Sequence, residues 1–262
     1  MRAGRVFGAI LALTFCLGGQ VRAQNVWTQK PFRQWTKEEA EKVLNDSPWA
    51  KKQELRISYA GRSTAVAGAP TPAEGEGGLI RTEQNTASLG GARAPVDFVF
   101  TLRLRSALPV RQALVRLKQI EARYDQMSEK DRAKFDEKLK GLLECPACAD
   151  NYVLTLSSKS KESPGADAVY STFGGAKEAD IKRYLVIIND RGERRELVHF
   201  VPPRVPGEEA VFFFPRLDDK GAPLLKPETK TLVFNVTNGE VNNIVNFRID
   251  ISALVADGAV EF

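Results

Sequence analysis

The segment Val96–Arg105 (VDFVFTLRLR) places Val96, Phe98, Phe100, Leu102 and Leu104 at every second position. A two-residue period puts all five side chains on one face of an extended strand. The chain must therefore build a sheet and bury that face. Other stretches supply partners. Gln53–Tyr59 sets Leu55, Ile57 and Tyr59 against Glu54, Arg56 and Ser58, and Tyr152–Leu156, Arg183–Asn189, Ala210–Phe214, Thr231–Val236 and Asn246–Ile251 are short β-rich runs. Asp190-Arg191-Gly192 reads as a turn, with Arg195–Val201 as the hairpin partner of Arg183–Asn189. If Gln53–Tyr59 pairs with Val96–Arg105, everything between them is one long hairpin loop.

Helical periodicity occupies the intervals. Thr36-Lys37-Glu38-Glu39 is a capping-box pattern that predicts a helix over Lys37–Asn45, with Ala40, Val43 and Leu44 buried and Ser47-Pro48 ending it. Leu108–Tyr124 carries Val110, Leu114, Leu117, Ile120 and Tyr124 at spacings of three and four. Ser128 caps a second helix to Leu143, with Phe135, Leu139, Leu142 and Leu143 as its stripe. The two make a helical hairpin. Ala166–Lys182 reads as one helix broken by Gly174-Gly175. Together these predict an α+β fold: a mainly antiparallel sheet, an inserted helical hairpin and a short N-terminal helix.

Residues 1–23 have the three parts of a signal peptide: Arg2 and Arg5, an apolar run from Val6 to Leu17, and Val21-Arg22-Ala23 as a cleavage site. The apolar run is too short to span a bilayer, which takes roughly 20 residues. Phe15, before Cys16, is too bulky for a lipoprotein cleavage site. The expected location is therefore the periplasm or the extracellular space, with no membrane-spanning segment left after cleavage. Removing three arginines lowers the formal charge from +5 to about +2. The remaining Lys and Arg alternate with Glu and Asp, so the charge gives no case for nucleic acid binding. The expected organisation is 1–23 signal peptide, 24–59 aromatic-anchored helix and first strand, 60–95 flexible loop, and 96–262 main domain. The loop follows from a Gly/Ala/Ser/Thr/Pro/Glu-rich composition that buries too little apolar surface to offset its ordering entropy.

Cys145-Pro146-Ala147-Cys148 holds the cysteines that survive signal cleavage. In an oxidising compartment the pair can close as a structural disulfide, act as a redox couple, or hold a metal. Redox pairs of the thioredoxin type sit at a helix N-terminus, where the dipole favours the thiolate. Here the pair follows a helix and precedes a strand, beside Glu144, so a disulfide is the expected state. A structural zinc site wants four ligands, and the chain offers one such pair and a single histidine, His199. Ala149 stands where haem attachment needs histidine. No metal or other cofactor is expected. Gly90-Gly91 and Gly174-Gly175 lack the pattern of a phosphate loop. His199 falls in an alternating strand that puts Leu197, His199 and Val201 on one face.

Trp27, Trp35 and Trp49 lie close together with Phe32. The cluster can serve as a partner-binding platform or clamp the first helix onto the main domain, and its staple-like positions favour the clamp.

Several blocks form a set: Trp27 with Pro31-Phe32 and Trp35-Thr36, Glu39-Ala40, Ser47-Pro48-Trp49-Ala50, Arg105–Ala113 (RSALPVRQA), Cys145 with Cys148, and Asp257–Phe262 (DGAVEF). This set resembles a group of uncharacterised exported bacterial proteins. The resemblance implies export and bacterial origin and brings no catalytic residue. The functional expectation is a non-enzymatic envelope or secreted protein acting by binding or structure, with an envelope protein or glycan as partner. The alternatives are a thiol–disulfide redox protein and an exported hydrolase using a carboxylate pair.

Overall fold

A computed structural model describes residues 26–57, 96–163, 165–237, 243–256 and 259–260. The expected signal peptide, the 60–95 loop and most of the C-terminal block lie outside these residues.

The described chain is α+β, with two antiparallel sheets where a single one was expected. It opens with α1 (Val26–Gln29), a 3₁₀ turn and α2 (Lys37–Asn45). Then come β1 (Ala50–Ile57), β2 (Val96–Leu104), α3 (Leu108–Glu121), α4 (Glu129–Glu144) and β3 (Asn151–Ser160). Next are α5 (Ala168–Phe173), α6 (Glu178–Ile181), β4 (Leu185–Asn189), β5 (Arg194–Glu196), β6 (His199–Val201) and β7 (Ala210–Pro215). β8 (Thr231–Thr237), β9 (Asn243–Asp250) and the two-residue strands β10 (Val255–Ala256) and β11 (Ala259–Val260) complete it. The first sheet has the order β1-β2-β3-β7-β6 and the second β5-β4-β8-β9.

The alternation of β2 sets the core. Phe98, Phe100, Leu102 and Leu104 are all fully buried, and the register carries the same face across to Leu154, Leu156, Phe212 and Phe214. Phe234 on β8 meets this layer, with its ring 5.5 Å from Phe212 and 6.2 Å from Phe214. The second sheet alternates as well: Leu185, Ile187, Leu232, Phe234, Val245, Phe247 and Ile249 point inward. Val186, Ile188, Arg194, Glu196, Val233 and Arg248 lie on the other face. One inward and one outward face is the usual arrangement of antiparallel sheets. β1 pairs with β2, from Ala50 opposite Arg103 to Ile57 opposite Val96.

The capping box forms as read. Glu39 N donates to Thr36 Oγ1 at 3.2 Å, and Thr36 N donates to Glu39 Oε2 at 2.7 Å. Ala40, Val43 and Leu44 are buried. The Gly174 break also forms: α5 ends at Phe173, and α6 begins four residues after Gly174.

Two readings are corrected. Val110 and Tyr124 of the expected stripe are buried, but Leu114, Leu117 and Ile120 are only half-buried, and the inner face of α3 includes Ala113, Arg116 and Gln119 instead. Arg116 and Gln119 are buried with donors paired to neighbouring elements, while Gln119 Oε1 finds no hydrogen-bond partner among the described residues. Arg116 Nε donates to Trp35 O at 2.8 Å, and Gln119 Nε2 donates to Asp136 Oδ1 at 3.1 Å. The second correction concerns Arg195–Val201, which is not one strand. Arg194–Glu196 pairs with β4 in the second sheet, and His199–Val201 pairs with β7 in the first. The expected common face is lost with it: Leu197 is buried, while His199 and Val201 are exposed.

Candidate functional site

The Cys145-Pro146-Ala147-Cys148 turn follows directly from α4. Cys145 N donates to Gly141 O at 3.0 Å, closing the helix, and Cys145 adopts φ 48°, the left-handed conformation that often ends helices. That conformation costs a residue with a Cβ about 1–2 kcal/mol, so surrounding contacts must hold it. The two cysteines stand at disulfide distance, with sulfur atoms 1.96 Å and Cα atoms 5.3 Å apart. Cys148 is buried and Cys145 half-buried.

The carbonyls of the turn are taken up one after another. Leu143 O accepts from Arg111 Nε at 2.8 Å, and Cys145 O accepts from Cys148 N at 2.8 Å. Pro146 O accepts from Ala149 N at 3.2 Å, Ala147 O from Asn151 Nδ2 at 3.0 Å, and Cys148 O from Arg216 Nε at 2.8 Å. Arg111 and Arg216 thus grip the two ends of the turn. Arg111 also donates to Ser106 O, and the Arg216 guanidinium lies over the Tyr152 ring at 5.0 Å. Burial, and then the positive charges of Arg216 and Arg105, hold Arg111 below the usual arginine range. Burial does the same to Arg216, while Tyr152 and Asp150 oppose it. The sequence marks the helix end and the cysteine spacing. It does not mark the arginines, because Arg111 is 32 residues from Leu143 and Arg216 is 68 from Cys148.

The three tryptophans do come together with α2. Trp35 and Trp49 are only 1% and 2% exposed, inside the core cluster, and half-buried Trp27 meets the Trp49 ring edge-on at 5.0 Å. Trp35 Nε1 donates to Lys30 O at 3.1 Å, so its one polar atom is satisfied. Of the three, Trp27 retains the most accessible surface.

His199 sits on the exposed edge strand β6. Its Nδ1 is 3.1 Å from Glu178 Oε2, which also accepts from Phe200 N at 3.1 Å, and its ring lies 5.0 Å from that of Phe213. Among the described residues, no three of the His, Cys, Asp and Glu side chains cluster as a metal site would require, and no helix is long and apolar enough to cross a membrane.

A cleft of about 580 Å³ opens beside α6, lined by Ala179, Lys182 and Arg183, by Leu185 and Val186 of β4, and by Arg194 and Glu196 of β5. Along the chain these charges alternate in sign as on a solvated surface, and no local pattern brings them together. Comparison with family models, with curated proteins and with solved structures found no match.

Proposed function

We propose that this chain is an exported bacterial envelope or secreted protein that acts by binding or structure, with an envelope protein or glycan as its partner. The observation that supports this reading best is the cysteine turn. Cys148 is buried, the pair stands at disulfide distance, and Arg111 and Arg216 tie the turn to α3 and to the chain after β7. A thiol pair used for exchange must offer an accessible, nucleophilic sulfur. This pair closes a helix end instead, and the proposed export would carry it to a compartment where disulfides persist.

The reduction potential of Cys145–Cys148 tests the reading. A structural bond lies below about −300 mV, and that is the expected result. A potential near that of strong periplasmic oxidants, at about −120 mV, would replace it with the thiol–disulfide alternative. One observation favours that alternative: the positive charge of Arg111 and Arg216 around the turn would stabilise a thiolate. Cell fractionation tests export separately, and protein retained in the cytoplasm would remove that part of the proposal.

A further inference from the structure

We propose that the cleft between α6 and the outer face of the second sheet binds an acidic peptide segment of a partner protein. The inference rests on the reading of this chain as a binding protein and names the partner chemistry for one site.

Charge is the first support. Glu196 lies 3.5 Å from Arg194, so that pair is internally balanced. Lys182 and Arg183, which also line the cleft, are both exposed and form no ion pair among the described residues. The Arg183 guanidinium sits over the Tyr184 ring at 4.6 Å, which restrains it at the mouth of the cleft. The wall therefore carries two uncompensated cations, one of them restrained.

Shape and polarity select the ligand. The floor is half-buried Val186, with Ala179 beside it. A volume of about 580 Å³ is that of a pocket for a multi-atom ligand. An inorganic anion, not much larger than a water molecule of ≈ 30 Å³, would leave most of it open. A membrane surface is broad and meets protruding charge rather than a recess. A glycan would look for an aromatic face, and none lines this cleft. An extended peptide with apolar side chains between carboxylates matches both the floor and the rim. Rim charges of this kind act mainly on association rate and salt dependence.

The test uses the exported, full-length mature protein and fluorescence anisotropy with a labelled peptide of alternating Glu and Leu. We expect saturable binding that weakens with added salt and falls at least tenfold in the Lys182→Glu/Arg183→Glu variant. The same charge change on exposed α4 positions, Lys138→Glu/Lys140→Glu, should leave binding within twofold. Both pairs are exposed, so folding should survive, and circular dichroism checks it. Equal loss in both variants would overturn the site, since net charge alone would then explain it. Absence of binding, equal binding of a Lys/Leu peptide, or binding of phosphatidylglycerol vesicles or inorganic phosphate in place of the peptide would overturn the ligand class. The reduction potential of Cys145–Cys148 is independent of the cleft, so this inference can fail while the broader reading stands.

Discussion

The Tyr124 hydroxyl donates to Asp136 Oδ2 at 2.7 Å, joining the turn after α3 to the middle of α4. Asp136 gathers two further donors: Arg33 Nη2 at 2.9 Å on the same oxygen and Gln119 Nε2 at 3.1 Å on the other. α4 has no fully buried residue, and its apolar stripe is only half-buried, so polar contacts carry much of its attachment. Asp136→Ala would leave the Gln119 amide buried without its acceptor and should cost about 2–3 kcal/mol. Tyr124→Phe removes two hydrogen bonds, the one donated to Asp136 and the one accepted from Arg33 Nη1 at 3.0 Å, and should cost about 1–2 kcal/mol. Urea midpoints read both, and an unchanged denaturant slope would show that the fold is retained.

Arg103 points from β2 toward the end of α2. Its Nε donates to Leu44 O at 2.6 Å, and its other nitrogens reach Asn45 Oδ1 at 3.1 Å, Ser157 Oγ at 3.1 Å and Glu209. The Arg103 side chain is 12% exposed, so truncation leaves four partly buried acceptors short of their donor. Arg103→Ala should destabilise by about 3 kcal/mol, within the range for breaking a largely buried pair. Arg103→Lys should recover less than half of that, because a single ammonium cannot span the four acceptors. Thermal unfolding of the three proteins decides the matter, and full rescue by lysine would contradict the geometry.

The cysteine turn closes a very short loop, so its effect through the unfolded state is small. The Cys145→Ser/Cys148→Ser protein should lose about 2 kcal/mol. Its amide exchange should quicken at Cys145 and Cys148, whose N–H groups bond within the helix end and the turn. Loss of more than about 5 kcal/mol would mean that the bond holds the whole fold rather than the helix end.

Tyr124 and Tyr152 are both held above the ordinary tyrosine range, chiefly by burial, and for Tyr124 also by the bond to Asp136. Folding favours their protonated forms, so this contribution is complete below about pH 10 and is lost as pH rises through the native values. On the acid side, the Arg116 hydrogen bond holds Asp125 below the usual carboxylate range, and the Lys230 amide does the same for Asp190. Their contribution is present above about pH 3.9 and is lost as pH falls further. Urea midpoints from pH 2 to 11 should therefore decline at both ends, and Tyr124→Phe should shallow the alkaline decline only.

What was legible in the sequence is what local chemistry fixes. Thr36 and Glu39 announce a helix start because both partners lie within one turn. The alternation from Val96 to Leu104 declares a buried face, since a strand has only two. Cys145 and Cys148 are close enough in sequence to meet without help. What escaped depends on distant partners. Arg116 and Gln119 look like solvent positions until Trp35 and Asp136 arrive to accept from Arg116 Nε and Gln119 Nε2. Arg195–Val201 reads as one alternating strand, but the chain passes from one sheet to the other at Leu197-Val198, where the alternation breaks, and nothing local marks that crossing. The cleft draws its wall and floor from α6, β4 and β5, so no single segment carries its signature.

Between Glu196 of β5 and His199 of β6 only Leu197 and Val198 intervene, and β5 and β6 belong to different sheets. Leu197 is fully buried at the crossing, while Val198 N donates to Phe213 O at 2.9 Å. So short a span leaves no slack. A one-residue slip of β5 along β4 would drag β6 along β7 and turn Phe200 out of the core. The crossing therefore acts as a register lock shared by both halves of the core, and neither sheet can rearrange while the other keeps its pairing.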